Sequence, residues 1–143
     1  MEHIQSAQGT WTYRSYNNDT GLVGGDPAKA AALIFGEGVF TLMQQPDGAV
    51  AGKLDMGGGY VLNTVGHFRP TGGTGPHLLR LTGTGVAGTP TEGWEYDYQA
   101  YPDPMWPHAV KQVPTLVGTT IRAKPHDGGP AGVTASIIMV FAL

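Results

Sequence analysis

Aromatic and polar side chains alternate between residues 94 and 99. The aromatic residues are Trp94, Tyr96 and Tyr98. The polar residues between them are Glu95, Asp97 and Gln99. Because successive side chains of a strand point to opposite faces, this spacing places two phenols and an indole on one face. A phenol hydroxyl donates and accepts hydrogen bonds, so this face can orient the polar group of an apolar or aromatic ligand. The alternative is ordinary core or a subunit contact.

The same alternation near the beginning of the chain places Trp11, Tyr13 and Ser15 on one face. We expect Trp11 to be mainly structural, whereas Tyr13 and Ser15 add hydroxyl groups that can contact a ligand. Arg122 is a further candidate, because a guanidinium stacks on aromatic rings and pairs with anions. The alternative is that Arg122 is an ordinary exposed residue on the surface. The predicted ligand-binding residues are therefore Trp11, Tyr13, Ser15, Trp94, Tyr96, Tyr98 and Arg122.

The sequence contains no recognisable catalytic motif. There is no Gly-x-Ser-x-Gly segment, and no Ser, His and Asp set has local support. A cofactor-free enzyme of the cyclase or isomerase type needs only a shaped pocket and one acid or base. His108 is one candidate, and Glu95 and Asp97 are others if the strand faces are reversed. The catalytic residues are thus unknown, and we favour a binding protein, with such an enzyme as the alternative.

The sequence predicts neither a metal site nor a cofactor site. It has no cysteine, and none of its five histidines lies two or four residues from another. We expect His126 and Asp127 to lie in a turn, where both residue types are common without a bound ligand. The segment 83–88 matches the Gly-x-Gly-x-x-Gly dinucleotide fingerprint, but a predicted strand follows it in place of the helix that would hold phosphate.

The composition is typical of one globular domain that spans residues 1–143, with 41% hydrophobic and only 13% charged residues. A net charge of -3 gives no basic surface for nucleic acid and no polybasic patch for a membrane, so we expect neither as a partner. Residues 1–5 lack the basic region and the apolar run of a signal peptide, and we expect a cytoplasmic protein.

The 23 glycines and 11 prolines are interleaved with Val, Ile, Thr and aromatic residues, a mixture typical of short strands joined by turns. Eight segments are predicted as strands: 10–16, 39–43, 49–55, 60–68, 78–84, 94–101, 115–123 and 133–141. The long loop 17–37 holds one predicted helix, with Asp26 as its N-cap and Pro27 as its first residue.

Eight sequential strands with short links predict an all-β fold, an eight-stranded antiparallel up-and-down β-barrel. Closure removes exposed strand edges, and eight strands enclose either a packed interior or one small ligand. A two-sheet sandwich is the alternative fold. A filled barrel that serves as an accessory or interaction domain is a third functional alternative.

Three short motifs resemble those of known barrels. Gly9-Thr10-Trp11 resembles the Gly-x-Trp segment that opens lipocalin and avidin barrels. The segment 48–52 resembles the second hairpin of the avidin–streptavidin group, and Tyr60-Val61-Leu62 resembles the start of its fourth strand. The resemblance implies a calycin-like eight-stranded barrel in which Trp11 closes one end.

The resemblance does not extend to the biotin site. An avidin-type site takes an Asp from the last strand and a Trp from the seventh, and residues 137–141 and 119–122 supply neither. Tyr13 is bulky where that site has a small polar residue. The loop 17–37 looks more like a lipocalin lid. The resemblance therefore implies the barrel without biotin binding, and the predicted partner is a small-molecule ligand of unknown identity.

We also expect a homo-oligomer, with a dimer favoured because two-fold dimers are the commonest soluble assemblies. The low charge content and the Pro-rich loop around Met105 and Trp106 motivate this expectation. An exposed Trp and Met in a stiff loop indicate a contact surface or a lid. The alternative is a loop whose Trp packs against its own barrel.

Overall fold

The computed structural model describes residues 3–142, which form eight strands and two short α-helices. The strands are β1 (Gly9–Asn17), β2 (Ile34–Gln44), β3 (Ala49–Asp55), β4 (Val61–Pro70), β5 (His77–Gly85), β6 (Glu95–Pro102), β7 (Thr115–Arg122) and β8 (Thr134–Phe141). The helices α1 (Thr20–Val23) and α2 (Pro27–Ala32) both lie between β1 and β2, and a 3-10 turn (Thr71–Gly73) lies between β4 and β5.

Each strand pairs antiparallel with the next one along the chain, and β8 pairs with β1 to close the barrel. In the closing pair Trp11 lies opposite Phe141, and Tyr13 lies opposite Met139. The predicted all-β, eight-stranded antiparallel barrel is therefore confirmed. None of the helices within residues 3–142 has the length and apolar character needed to cross a membrane.

The alternation of side chains sets the interior of the barrel. In β1 the side chains of Trp11, Tyr13 and Ser15 are buried, while those between them are exposed. In β6 Tyr96 and Tyr98 are buried, while Asp97 and Gln99 are exposed. The inward face predicted from the spacing of these residues is confirmed for both strands.

One end of the barrel, which we call the closed end, is sealed by Trp11 and the segment before β1. The indole Nε1 of Trp11 donates to the carbonyl oxygen of Ala7 at 2.8 Å, and the amide of Ala7 donates to Oε1 of Gln44 at 2.7 Å. The Phe141 ring meets the indole edge-on, with centroids 5.2 Å apart. Large side chains fill the barrel beside Trp11: Phe40, Leu42, Phe68, Leu79, Leu116 and Met139.

The opposite end, which we call the mouth, is framed by the connections 18–33, 56–60, 86–94 and 123–133. The prediction of a loop through residue 37 is wrong, because β2 already begins at Ile34. The connection also holds two helices where one was predicted. The predicted start of α2 is confirmed: Asp26 accepts from the amides of Ala28 and Lys29, and Pro27 opens the helix.

A β-bulge turns Phe35 toward the mouth. Ser15 pairs with Gly36 and Tyr16 pairs with Ile34, so Phe35 is an extra residue in β2. A bulge re-aims the side chain of the extra residue. The Phe35 ring consequently lies near the Tyr96 ring, with centroids 6.2 Å apart.

The Pro-rich loop between β6 and β7 lies at the closed end. The Gln112 side chain braces it, since its Nε2 donates to the carbonyl oxygen of Pro104 and its Oε1 accepts from the amide of Trp106. The Trp106 side chain is 63% exposed, so it does not pack against its own barrel. The loop is far along the barrel from the mouth and does not act as a lid there.

Candidate functional site

A cavity of about 360 Å³ lies inside the mouth, and we call it the mouth cavity. Its walls come from β1, β2, β4, β6, the last residue of β7 and the connections around them. Six predicted site residues line it together: Tyr13, Ser15, Trp94, Tyr96, Tyr98 and Arg122. The volume is at the lower end of the range for small-molecule pockets.

Trp11, the seventh predicted site residue, lies outside this cavity. Its indole belongs to the closed end, where it is 1% exposed and hydrogen-bonded to Ala7. The side chains between the two ends, including Phe40 and Leu54, are fully buried. Trp11 therefore supports the barrel and does not touch the mouth cavity.

Two buried phenols lie at the inner side of the mouth cavity. The rings of Tyr13 and Tyr98 meet edge-on with centroids 6.0 Å apart, and both meet Phe40 edge-on at 5.1 and 5.5 Å. Gly83 leaves space for this cluster, because a Cβ there would lie 3.2 Å from Cε2 of Tyr98.

Burial determines the charge of these phenols. It raises the pKa of Tyr13 to about 12, with the Ser15 hydroxyl opposing part of the rise. Burial also raises the pKa of Tyr98 well above its ordinary value. A phenol is already uncharged at neutral pH, and burial extends the uncharged state of Tyr13 and Tyr98 to higher pH. Each phenol is able to donate a hydrogen bond.

An aromatic stack forms one wall of the mouth cavity. The indole of Trp94 and the imidazole of His126 lie with centroids 3.9 Å apart and planes 19° apart. Tyr60 contacts the indole from another side, with centroids 5.7 Å apart. The stack joins the connection before β6 to the turn between β7 and β8, so it fixes two parts of the mouth to each other.

A chain of hydrogen bonds runs from Arg122 to Asp127. The Arg122 Nε donates to the Tyr96 hydroxyl at 3.0 Å, and that hydroxyl lies 2.6 Å from Nε2 of His126. Nδ1 of His126 lies 3.2 Å from Oδ2 of Asp127. A carboxylate only accepts, so Nδ1 donates to Asp127; in the tautomer whose proton is on Nδ1, Nε2 accepts from the Tyr96 hydroxyl. The chain thus has one consistent direction.

The Arg122 guanidinium lies beside two rings and is held on two sides. Its Cζ is 5.5 Å from the centroid of Phe35 and 5.9 Å from that of Tyr96. Its Nη1 donates to the carbonyl oxygen of Pro130 at 3.2 Å. The guanidinium thus lies over the rings of a Phe and a Tyr. Within residues 3–142 Arg122 forms no ion pair with a carboxylate.

The structure separates the other acid–base candidates from the mouth cavity. Glu95 and Asp97 face outward: Glu95 pairs with Lys124 at 3.5 Å, and Asp97 accepts from the Thr82 hydroxyl at 2.9 Å. His108 is exposed in the loop at the closed end. In the part of the chain that the structure describes, no three His, Asp or Glu side chains come together as a metal site would require.

Sequence reasoning did not predict seven of the residues that line the mouth cavity: Phe35, Gly36, Glu37, Met56, Tyr60, Leu62 and His126. Phe35 and His126 show why. Alternation along β2 would turn Phe35 outward, and only the bulge opposite Ser15 and Tyr16 reverses it. His126 was expected in a turn and does lie in one, but its side chain is only 11% exposed and packs on Trp94. Neither contact has a signal in the residue spacing, because both depend on how distant segments meet.

The chain was compared with protein-family models, with curated proteins and with solved structures, and none of the three comparisons gave a match.

Proposed function

We propose that this protein binds one small apolar or aromatic molecule in the mouth cavity. The observation that carries the proposal is the convergence of six spaced-out residues, predicted as ligand contacts, on one cavity. Ligand sites are typically concave, mostly apolar and supplied with a few polar groups that fix orientation. The mouth cavity has this character, with rings on its walls and hydroxyls at its inner side.

The packing of the barrel supports a small ligand. The interior beside the closed end is filled by large side chains, whereas the opposite end of the interior holds the mouth cavity. A filled accessory barrel would account for the closed end but leaves the aromatic lining of the mouth without a role. The mouth cavity has room for one small molecule, which agrees with the interior that an eight-stranded barrel encloses.

The finer likeness to the avidin and lipocalin barrels belongs to the same proposal. It rests on the short motifs around Trp11, Val50 and Tyr60 together with the closed barrel. The residues that line the mouth cavity are different in kind from a biotin site, so the ligand that we propose is not biotin.

A cofactor-free cyclase or isomerase is the second candidate. The observation that favours it is the Asp127–His126–Tyr96 hydrogen-bond chain, which ends at a phenol that lines the cavity. A histidine held by a carboxylate is a common acid–base group. This candidate requires the binding site that we propose and adds a proton-transfer step to it.

The test is calorimetric titration of the purified protein with neutral aromatic probes: indole, 2-naphthol and cinnamamide. We expect at least one to bind with a stoichiometry of one. Gly36→Leu then places bulk in the cavity, because Gly36 lines it with φ outside the left-handed region and with its Cβ position facing Ser15. Binding should weaken at least about tenfold.

The matched control is Ala51→Leu, which adds bulk on the exposed outer face of β3. It should bind the same probe as the parent does. Equal binding by the Gly36 variant would place the probe outside the mouth cavity and contradict the proposal. The proposal is contradicted outright if the parent protein binds none of these neutral probes and none of the carboxylates that correspond to them in shape.

A further inference from the structure

Three acidic side chains at the mouth have partners other than Arg122, and one of them, Glu37, also lines the mouth cavity. Glu37 pairs with Arg14 at 3.3 Å, and Glu95 pairs with Lys124 at 3.5 Å. Asp127 contacts Nδ1 of His126 at 3.2 Å. The positive charge of Arg122 is therefore not balanced by a carboxylate within residues 3–142, although it lines the cavity.

The guanidinium is also fixed in place before any ligand arrives. Nε is committed to the Tyr96 hydroxyl and Nη1 to the carbonyl oxygen of Pro130. Its plane lies near the Phe35 ring. Since both fixing partners are neutral, they orient the group without cancelling its charge. A fixed guanidinium offers paired N–H groups that match the two oxygens of a carboxylate.

The rest of the cavity is suited to a flat, uncharged body. Phe35, Trp94 and Tyr60 supply ring faces and edges, and the phenols of Tyr13 and Tyr98 stay neutral. Neutral phenols donate to an anion instead of repelling it. An aromatic ring between these walls would place its charged group beside the Arg122 guanidinium.

We infer that the ligand is an aromatic or conjugated carboxylate whose anionic group pairs with Arg122. This inference rests on the proposed binding function and adds the chemical class of the ligand. It differs from a purely apolar ligand, which would leave the guanidinium charge in the cavity wall without a counter-charge.

The test uses pairs of probes of equal shape that differ in charge: benzoate and benzamide, cinnamate and cinnamamide, 2-naphthoate and 2-naphthamide. Calorimetric titration at neutral pH should show that the carboxylate of at least one pair binds about tenfold or more tightly than its amide, as a charged hydrogen bond predicts. This preference is measured on the parent protein and needs no variant.

Arg122→Gln should abolish the preference for the carboxylate over the amide, and Arg122→Lys should keep only part of it because the fork of the guanidinium is lost. The control is Arg14→Gln, an exposed arginine on the outer face of β1, which should keep the full preference. Far-UV circular dichroism of each variant confirms that the barrel is folded.

The outcomes separate the two proposals. Equal binding of both members of every pair overturns the anionic inference and leaves the binding function standing. A preference that survives in Arg122→Gln overturns the role of Arg122. If no carboxylate or amide binds to the parent, both the binding function and the inference are overturned.

Discussion

The imidazole of His126 stacks on the indole of Trp94 with a centroid separation of 3.9 Å. The two residues lie 32 positions apart, in the connections on either side of β6 and β7. The stack therefore links two segments that the barrel ladder does not join directly. Because Nε2 of His126 also lies 2.6 Å from the Tyr96 hydroxyl, one side chain supports both the wall of the cavity and its hydrogen-bond chain.

We predict that His126→Ala destabilises the protein by about 1–3 kcal/mol, the sum of one aromatic pair and one buried hydrogen bond. Urea unfolding followed by tryptophan fluorescence measures the loss. The control is His108→Ala, which removes an exposed imidazole at the closed end and should change stability by less than about 0.5 kcal/mol. Equal effects of the two substitutions would show that the stack contributes nothing.

Two buried threonines should respond oppositely to loss of the hydroxyl. The Thr64 Oγ1 is buried and has no hydrogen-bond partner within residues 3–142, whereas the Thr120 hydroxyl donates to the carbonyl oxygen of Asp97 at 3.0 Å. Thr64→Val should stabilise the barrel by about 1 kcal/mol, and Thr120→Val should destabilise it by about 1 kcal/mol.

Both threonine variants keep the shape of the side chain, so each is the other's control. Their urea midpoints are measured against the parent under identical conditions. A destabilised Thr64 variant would mean that its hydroxyl does make a favourable contact, and the two effects would then share a sign.

Stability should fall as the pH rises from 10 to about 12. The folded pKa of Tyr13 is about 12 against an ordinary value of 10.0, so in this window the unfolded chain releases a proton that the folded barrel keeps. The stabilisation is complete below pH 10 and is lost as the pH approaches 12. The expected loss is about 1.4 kcal/mol per pH unit for this residue.

Urea unfolding at a series of alkaline pH values checks this slope. Tyr13→Phe should make the slope shallower, since it removes the phenol whose pKa differs between the folded and unfolded states. Tyr101→Phe removes an exposed phenol and should leave the slope as it is in the parent. Parallel slopes for the parent and the Tyr13 variant would contradict the raised pKa.

The expected homodimer remains a prediction, and the structure offers surfaces to test. Tyr101 and Val117 are exposed neighbours on the outer face of β6 and β7, and Trp106 is exposed in the loop that joins these strands. We expect sedimentation to give a species of about twice 15.0 kDa. Val117→Asp and Trp106→Ala should weaken the assembly, whereas Val65→Ala on β4 should not. A single 15.0 kDa species at high concentration would contradict the dimer.

The alternation of side chains was enough to predict the barrel and most of the cavity. Period-two spacing in β1 and β6 put Tyr13, Ser15, Tyr96 and Tyr98 inside, and closure of the sheet then brought them together. Spacing carries this information because each interior position depends only on its own strand.

The remainder of the site depends on exceptions to that spacing. Phe35 enters the cavity through a bulge, and a bulge is a relation between two strands that neither sequence segment reveals alone. His126 lies in a turn, and its side chain lines the cavity because it stacks on Trp94 and lies within hydrogen-bond distance of the Tyr96 hydroxyl. The start of β2 was missed because Ile34, Phe35 and Gly36 lack alternation there.

The packed closed end and the mouth cavity lie at opposite ends of the barrel, so the ligand specificity of this chain can change separately from its core. Trp11 and the side chains around it stabilise the barrel from one end, and the cavity at the other end is built largely from connections and strand termini. Replacements at cavity-lining positions of those connections alter which guest fits while they leave the packed side chains of the closed end untouched. The molecule is consequently a scaffold for selection: a library that varies Met56 and Tyr60, which line the cavity from a connection, should yield folded barrels with new guests far more often than one that varies the neighbours of Trp11.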